Sequence, residues 1–390
     1  MKLSQGPAAR PTAVLVLADG LVLWGMGLGA TGEAVGEVCF NTAMTGYEEI
    51  LTDPSYAGQI ITFTFPHIGN VGVNAEDIEN ASPAAATAAR GAIFRAPVTS
   101  PSNYRAQLDL STWMKRRGVV GLCGVDTRAL ASRIRENGMP HGVIAHNPAG
   151  QFNIEAMQRR AAAWAGLEGR DLAREVSTLQ SYTSDETRWR WGKGYGRASG
   201  KGPHVVVVDY GVKRNILRLL AENGARVTVV PAMATFDEIM AKKPDGVVLS
   251  NGPGDPAATG EYAIPMIRKL IDTKTPVLGI CLGHQILALA AGGKTTKMAQ
   301  GHHGANHPVK DLDSGKVEIV SMNHGFTVDA STLPANVEAT FTSLFDGSNS
   351  GIRLKDAPAF SVQHHPEASP GPQDSVGLFK KFVDSLKPAA

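Results

Sequence analysis

The chain has 390 residues, 43% of them hydrophobic and 19% charged, and a chain of this length is expected to form two or three domains. Its 38 Lys and Arg residues nearly balance 36 Asp and Glu residues, which argues against nucleic-acid binding through bulk charge. Cys39, Cys123 and Cys281 are too few for a disulfide framework and indicate a reducing compartment. Because Met1–Gly20 lacks a signal-peptide pattern and no uncharged apolar run reaches about 18 residues, we expect a cytoplasmic protein without membrane contact.

The first half of the chain has the pattern of a mixed α/β domain. Its clearest elements are a β-hairpin, two further strands and one helix: Thr12–Ala18 paired with Leu21–Trp24, Gln59–Phe65, Val119–Cys123 and Arg128–Glu136. Asp126 or Thr127 is expected to begin the helix, and Asn137-Gly138 to end it. This half contains no evident catalytic constellation.

Residues 185–203 change in character, being rich in glycine and basic residues with no aliphatic side chain larger than alanine. Their mix of Arg188, Trp189, Arg190 and Trp191 suits either a nucleic-acid contact or an exposed tether, and the neutral whole-chain charge favours the tether. We therefore predict an N-terminal domain over 1–184, a linker over 185–203 and a second domain over 204–390.

Strands and helices alternate regularly in the second half. The predicted strands are Val205–Val208, Arg226–Val230, Gly246–Ser250, Val277–Ile280 and Ala359–Val362. The predicted helices are Lys213–Glu222, Phe236–Lys242, Tyr262–Ile271, His284–Ala291 and about Gln373–Leu386. This alternation predicts a doubly wound, mostly parallel α/β sheet, in which ligands bind at the carboxyl ends of the strands.

The sequence Gly279-Ile280-Cys281-Leu282-Gly283 lies between a predicted strand and a predicted helix, as a cysteine version of the nucleophile elbow. Small residues on either side of the cysteine would allow the sharp turn, and the helix N-terminus would stabilise a thiolate. The Leu282 amide would point toward a developing oxyanion. The alternative is that Cys281 is a small buried side chain, which is the interpretation we adopt for Cys39 and Cys123.

A cysteine nucleophile needs a base, and His365 and Glu367 flank a proline just after the last predicted strand. Glu367 could orient His365 as the acid orients the histidine of a triad. His302, His303 and His307, with His364 and His365, could instead suggest zinc. However, no H-E-x-x-H or C-x-x-C motif is present, so we predict no metal site.

The turn Asn251–Pro256, NGPGDP, follows another predicted strand and can present backbone amides to a carbonyl or oxyanion, although an ordinary tight turn would look the same. No phosphate-binding G-x-x-x-x-G-K-[ST] motif occurs.

Together these motifs resemble the class I, triad-type glutamine amidotransferases. The features are GICLGHQ at Gly279–Gln285, the NGPGDP turn and HPE at His365–Glu367. Further stretches resemble the carbamoyl-phosphate synthase small chain: Gly36–Tyr56, Pro66–Gly72, Gly124–Leu130, Asp209–Arg218, Gly301–Val309, Asn323–Phe326, Ser343–Gly347 and Gln363–Asp374. The resemblance runs from about residue 12 to 386, and residues 185–203 are the part without a match.

The resemblance implies that Cys281 attacks the side-chain amide of L-glutamine, that His365 transfers protons and that Glu367 orients His365. It further implies a glutamine-binding set: Ser55, Gly252, Gly254, Leu282, Gln285, Asn323, Gly325 and Phe326. Ammonia would pass to a separate large chain, which makes carbamoyl phosphate for arginine and pyrimidine synthesis. This chain would need no cofactor, because ATP and metal would be used by the large chain.

Two other functions compete with this one. An amidotransferase serving another acceptor would share the three motifs but is disfavoured by the first 200 residues. A non-catalytic docking subunit would be expected to have a damaged triad, whereas Cys281, His365 and Glu367 are all present.

Overall fold

The computed structural model describes residues 10–85 and 88–386, and within them the chain forms two compact units. The first unit comprises Met1–Asn41, Gly58–Glu76 and Ala89–Gly166, and the second comprises Thr42–Ala57, Asp77–Ala88 and Leu167–Ala390. Two segments from the first half of the sequence therefore belong to the second unit. The predicted domain boundaries at residues 184 and 204 remain a prediction about functional domains. Residues 1–9 and 387–390 of the two predicted domains lie outside the described part of the chain.

The strands of the first unit form a closed barrel in the order β1-β2-β6-β5-β4-β3-β7. They are β1 (Ala13–Leu17), β2 (Val22–Gly29), β3 (Gly32–Asn41), β4 (Gln59–Phe63), β5 (Gly91–Phe94), β6 (Val120–Cys123) and β7 (His141–His146). The predicted hairpin is confirmed, because β1 and β2 pair antiparallel. Strands β3, β4, β5 and β6 run parallel to their neighbours in that series, so closure depends on pairings distant in sequence.

Helices cover the barrel strands according to the alternation of their side chains. The helices of this unit are α2 (Leu110–Arg116), α3 (Thr127–Asn137) and α4 (Ile154–Ala163). Leu15 and Leu17 of β1 share a buried cluster with Ile134 of α3, whereas Val14 and Val16 pack in another cluster with α4. Helix α3 begins at an Asp126 cap and ends at Gly138, as predicted.

The second unit contains a ten-stranded sheet in the described residues, ordered β16-β15-β17-β18-β19-β14-β13-β11-β12-β8. Its parallel centre consists of β11 (His204–Asp209), β12 (Arg226–Pro231), β13 (Gly246–Leu249), β14 (Val277–Ile280) and β19 (Ala359–Val362). Antiparallel strands flank this centre: β8 (Tyr182–Ser184), β15 (Lys294–Asp311), β16 (Val317–Asp329), β17 (Val337–Ser343) and β18 (Asn349–Leu354). The predicted doubly wound arrangement is confirmed for the centre.

Both faces of the parallel strands are buried. The helices of this unit are α1 (Tyr47–Thr52), α5 (Ala173–Val176), α6 (Arg214–Glu222), α7 (Phe236–Met240), α8 (Pro256–Asp272), α9 (Leu282–Ala290) and α10 (Gly377–Ser385). Val206 and Val208 of β11 pack in a cluster with residues of α8 and α9. Val205 and Val207 pack with α6 and α10 on the other face. This explains the uninterrupted valine run, since a strand covered on both sides has no polar face.

Residues 185–203 are more ordered than a tether. β9 (Glu186–Arg190) and β10 (Gly194–Arg197) form an antiparallel hairpin. Arg188 makes a two-point ion pair with Glu222 of α6, with Nε 2.8 Å from Oε2 and Nη2 3.2 Å from Oε1. The composition of the segment hides this order, because its partner lies 34 residues away.

Several helix boundaries differ from the prediction, most of all those of α8 and α10. α8 begins at Pro256, not Tyr262, because Asp255 caps it and proline is favoured in a first helical turn. α10 is shorter than predicted and spans Gly377–Ser385. No helix in the described residues combines the length and apolar character that crossing a membrane requires.

Candidate active site

Cys281 occupies a strained turn between β14 and α9. Its backbone has φ 53° and ψ −102°, in a region that non-glycine residues rarely adopt and that costs about 1–3 kcal/mol. Its amide donates to Val362 O at 2.9 Å, which ties the turn to the end of β19. The side chain is buried, with Sγ 3.5 Å from Asn323 O. Strained backbone of this kind is concentrated at active sites, and Cys281 is the N-cap residue of α9.

The glycines around Cys281 are required by close packing. A Cβ at Gly283 would lie 2.1 Å from Leu249 O, and one at Gly279 would lie 2.7 Å from Gly283 O. The Gly283 amide donates to Ser250 O at 3.0 Å, so the first turn of α9 lies against the end of β13. The G-x-C-x-G pattern is thus a steric requirement of this turn.

His365 and Glu367 follow β19, the strand that neighbours β14. The Nδ1 atom of His365 is 2.6 Å from Glu367 Oε1, and its amide donates to Ser321 O at 2.9 Å. Since Nδ1 is engaged, Nε2 is the ring nitrogen left for Cys281. Both side chains are buried, so the pair is shielded from water.

Lys213 lies behind this pair. Its Nζ atom is 3.0 Å from Glu367 Oε1 and donates to Ala368 O at 2.5 Å. The side chains of Lys213 and Glu367 are 3% and 0% exposed. A buried charge of this kind needs a partner, and each group supplies the other's.

The charges keep Glu367 ionised and His365 protonated. Burial raises the pKa of Glu367, but the positive charges of Lys213 and His365 outweigh it and hold that pKa below its usual range. Burial lowers the pKa of His365, but Glu367 and Cys281 outweigh it and raise the pKa above its usual value. A histidine that is cationic beside a cysteine stabilises the thiolate.

Two glycine-bounded turns place backbone amides near the same sheet edge. Leu282 is the first residue of α9, so its amide has no acceptor within the helix. Gly254 has φ 92°, and a Cβ there would lie 2.6 Å from Arg170 O. A Cβ at Gly252 would lie 2.1 Å from Tyr210 O. This second turn can pack against Tyr210 and Arg170 only because both positions lack side chains.

Gln285 is positioned by contacts from β16 and from the end of β19. Its Nε2 donates to Phe326 O at 2.7 Å and to Gln363 Oε1 at 3.0 Å. Phe326 is buried, and Gly325 precedes it in the same strand. The structure thus brings the predicted members Gln285, Gly325 and Phe326 to one region.

The side chain of Asn323 is hydrogen-bonded to a turn from the first half of the sequence. Asn323 Nδ2 donates to Asp53 Oδ2 at 3.0 Å, and its Oδ1 is 2.9 Å from His303 Nδ1. Asp53 also accepts from the Ser55 amide at 2.9 Å, beginning a 3₁₀ turn over Pro54–Tyr56. Ser55 Oγ accepts from Asn251 Nδ2 at 3.0 Å. Ser55 therefore lies in the second unit with the remaining predicted residues.

Sequence reasoning missed Lys213 and Asp53 as members of the site. Lys213 precedes a predicted helix, and nothing local shows that its charge is buried. Asp53 looks like a turn residue before proline, and its contact with Asn323 spans 270 residues. The one sequence feature that could have identified Lys213 is its position as a charged residue next to a helix with an apolar face.

Three further histidines, His302, His307 and His324, form a compact group. The ring of His302 lies 5.0 Å from those of His307 and His324, and its Nε2 is 2.9 Å from Asp346 Oδ2. Across the described ranges, no group of three or more His, Cys, Asp or Glu side chains is arranged to hold a metal ion. Cys39 and Cys123 are buried in β3 and β6.

Comparison with known proteins gives matches along both halves. Family models match residues 15–144 as "Carbamoyl-phosphate synthase small chain, CPSase domain" and residues 206–385 as "Glutamine amidotransferase class-I". The carbamoyl phosphate synthase small chain of Mesorhizobium japonicum is 65% identical over 97% of this chain and 95% of its own. That of Caulobacter vibrioides is 64% identical over 99% of this chain and 100% of its own. A solved glutamine amidotransferase of Thermotoga maritima is 22% identical over 42% of this chain and 76% of its own, with a TM-score of 0.35, too low to carry weight.

A cysteine elbow on a doubly wound sheet, within a matching family segment, defines a class-I glutamine amidotransferase domain in the second half. The first half matches a different family model, and identity to the relatives extends over nearly the whole length. The chain belongs to the carbamoyl phosphate synthase small chain family.

Proposed function

We propose that this chain hydrolyses L-glutamine to glutamate and ammonia, and delivers the ammonia to a separate large chain that makes carbamoyl phosphate. The observation that carries the proposal is a buried set of contacts beside the strained Cys281. In this set, Glu367 Oε1 contacts both the imidazole of His365 and the ammonium group of Lys213. Family membership supports the partner and the product.

The reaction follows from these positions. The Cys281 thiolate attacks the amide carbon of glutamine, and the amides of Leu282 and Gly254 stabilise the oxyanion that develops. His365 donates its proton to the departing nitrogen, so ammonia leaves and a thioester remains. The neutral His365 then takes a proton from water, which attacks the thioester and releases glutamate. His365 is protonated again at the end, and Glu367 holds its ring throughout.

In the same proposal, glutamine is held by the residues grouped at the sheet edge. The set is Ser55, Gly252, Gly254, Leu282, Gln285, Asn323, Gly325 and Phe326. No step requires a cofactor in this chain, and ATP and metal belong to the large chain. We also propose a cytoplasmic location, where glutamine and ATP are available.

The test is glutamine hydrolysis by the purified chain, alone and with the large chain co-expressed. Cys281→Ser should abolish glutamate release, whereas Cys39→Ser should leave it near wild type. Wild-type complex should form carbamoyl phosphate from glutamine, and the Cys281→Ser complex only from added ammonia. Glutamine hydrolysis retained by Cys281→Ser would refute the mechanism, and failure to co-purify with a large chain would refute the partner.

A further inference from the structure

The loop that follows Glu367 is strained. Ala368 and Ser369 both have φ 53°, so two consecutive non-glycine residues adopt the left-handed region. Each such residue costs on the order of 1–3 kcal/mol and persists only where its surroundings hold it. The same loop supplies Ala368 O to Lys213. Its conformation therefore fixes where the Glu367 carboxylate lies.

Glu79 contacts this loop from a segment of the first half of the sequence that belongs to the second unit. Its carboxylate is buried, and Oε1 accepts from Ser369 Oγ at 2.6 Å. Oε2 accepts from the Asn215 amide at 3.0 Å. The side chain of Asn215 in turn donates from Nδ2 to Glu367 O at 2.5 Å. Glu79 thus acts on both sides of the strained loop.

The backbone of Glu79 is fixed as firmly as its side chain. Its amide donates to Thr52 Oγ1 at 2.9 Å, and its carbonyl accepts from the Arg214 amide at 2.9 Å. Together with the bond from Asn215, Glu79 satisfies two amides of the first turn of α6, which has no side-chain cap of its own. A carboxylate at a helix N-terminus is favourably placed.

A cation also contacts Glu79. Arg218 Nη1 lies 3.5 Å from Oε1, and Arg218 Nε lies 2.7 Å from Glu186 Oε1 in the hairpin. The shorter contact of Arg218 is therefore with Glu186. Besides the charge attraction between Glu79 and Lys213, two contact routes are therefore open to Glu79: through Arg218, or through Ser369 and Asn215.

We infer that Glu79 is a positioning residue for glutamine hydrolysis, holding the loop Glu367–Pro370 through Ser369 and Asn215 so that Glu367 keeps His365 in place. This inference rests on the proposed function. None of the contacts described for Glu79 reaches the proposed glutamine-binding residues, so its effect is on the rate of the chemical steps and not on glutamine binding.

The test uses the full chain and four variants. Glu79→Gln keeps the length of the side chain but turns one oxygen into a donor that faces the Ser369 hydroxyl or the Asn215 amide. We expect kcat for glutamine hydrolysis to fall about tenfold to a hundredfold, with KM within about threefold of wild type, because a small misplacement of a catalytic group costs rate. Glu186→Gln, which alters the other carboxylate on Arg218, should keep wild-type kcat and KM.

Ser369→Ala removes only the hydrogen bond from Ser369 to Glu79, so it tests the inference even if Glu79→Gln does not fold. It should lower kcat with KM unchanged, and Glu79→Gln/Ser369→Ala should lose less than the product of the two single effects. Wild-type kcat in folded Glu79→Gln, or in Ser369→Ala, would overturn the inference, as would a loss confined to KM. An equal loss in Glu186→Gln would overturn the route through Ser369. If the wild-type chain and Cys281→Ser are equally inactive, the proposed function itself fails, and the inference with it.

Discussion

Lys213 and Glu367 form an ion pair within the core, with Nζ 3.0 Å from Oε1. The same oxygen is 2.6 Å from His365 Nδ1, so one carboxylate atom serves an ammonium group and an imidazole. A carboxylate this deeply buried would otherwise take up a proton. Lys213 therefore determines whether Glu367 can act as an anion toward His365.

Removing the Lys213 charge should impair both stability and activity. In Lys213→Met, Glu367 loses its ammonium partner and must either stay buried as an unpaired anion or take up a proton, and breaking a buried ion pair in this way costs about 3–5 kcal/mol. We expect a lower midpoint of urea unfolding and a fall in kcat for glutamine hydrolysis of about tenfold or more. Lys213→Met/Glu367→Gln should regain much of the stability but none of the activity. A wild-type kcat in Lys213→Met would show that catalysis by His365 does not require the Glu367 anion that Lys213 stabilises.

Ser55 gives a direct test of the proposed glutamine set. Ser55→Ala removes the hydroxyl that accepts from Asn251, without touching Cys281 or His365. If Ser55 binds glutamine, KM should rise about twofold to tenfold while kcat changes little, because one hydrogen bond is worth about 0.5–1.5 kcal/mol. Ser314→Ala, on an exposed turn, is the matched control and should keep wild-type KM. An unchanged KM in Ser55→Ala would remove Ser55 from the set.

The elbow should not tolerate a methyl group at Gly283. The Cβ of Gly283→Ala would lie 2.1 Å from Leu249 O, so α9 must move away from β13 and carry Cys281 with it. We expect a loss of at least about tenfold in glutamine hydrolysis, since the displacement reaches the nucleophile. Gly377→Ala is the control, because its Cβ meets nothing within 4 Å. Activity of Gly283→Ala near that of Gly377→Ala would mean that the turn is less rigid than its contacts indicate.

Acid should destabilise the fold through buried neutral histidines. Burial lowers the pKa of six of them. The pKa is about 4 for His303 and about 3 for His284, His307 and His364. It is well below the usual value for His324, and it is also lowered for His302. In the unfolded chain these groups protonate near a pH of about 6.5. The unfolded state therefore binds more protons than the folded state below that pH, and the free energy of unfolding falls as pH falls.

Each histidine contributes up to about 1.4 kcal/mol per pH unit in that range. Urea unfolding at pH 7.5, 6.0 and 5.0 measures the slope, and His307→Gln should reduce proton uptake on unfolding by about one. Carboxyl groups with raised pKa, those of Glu49, Glu79 and Asp209, oppose this loss because the folded state binds their protons first as pH falls, whereas carboxylates with lowered pKa add to it only below about pH 4.5. A slope between pH 6.5 and 5 that is the same in His307→Gln as in the wild-type chain would contradict the buried neutral state of His307.

Local sequence patterns were sufficient to predict the parallel strands of the sheet and the turns that follow them. The valine run of β11, the strand before Cys281 and the Asp126 cap of α3 all depend on neighbours in sequence, so periodicity and capping chemistry identify them. The three motifs that predicted Cys281, His365 and Asn251–Pro256 as a site also follow from position, since each ends a parallel strand.

The contacts that the sequence analysis did not predict join residues that are far apart along the chain. The carboxylate of Glu79 meets Ser369 290 residues away, and Asp53 meets Asn323 270 residues away. The same holds for the hairpin β9–β10, whose arginines are ordered by Glu222. Closure of the barrel was hidden for a related reason, because β1 pairs with β7 across the whole first unit.

The membership of Thr42–Ala57 and Asp77–Ala88 in the second unit has a consequence for dissecting the gene. A gene fragment that starts at residue 204 would encode the nucleophile and its histidine, yet it would lack Asp53, Ser55 and Glu79. Their partners Asn323, Asn251 and Ser369 would be left with unfilled hydrogen-bonding positions in the interior. The second unit of this chain therefore cannot be obtained intact by cutting the gene at residue 204, because a fission at that point would separate residues that contact one another in its interior.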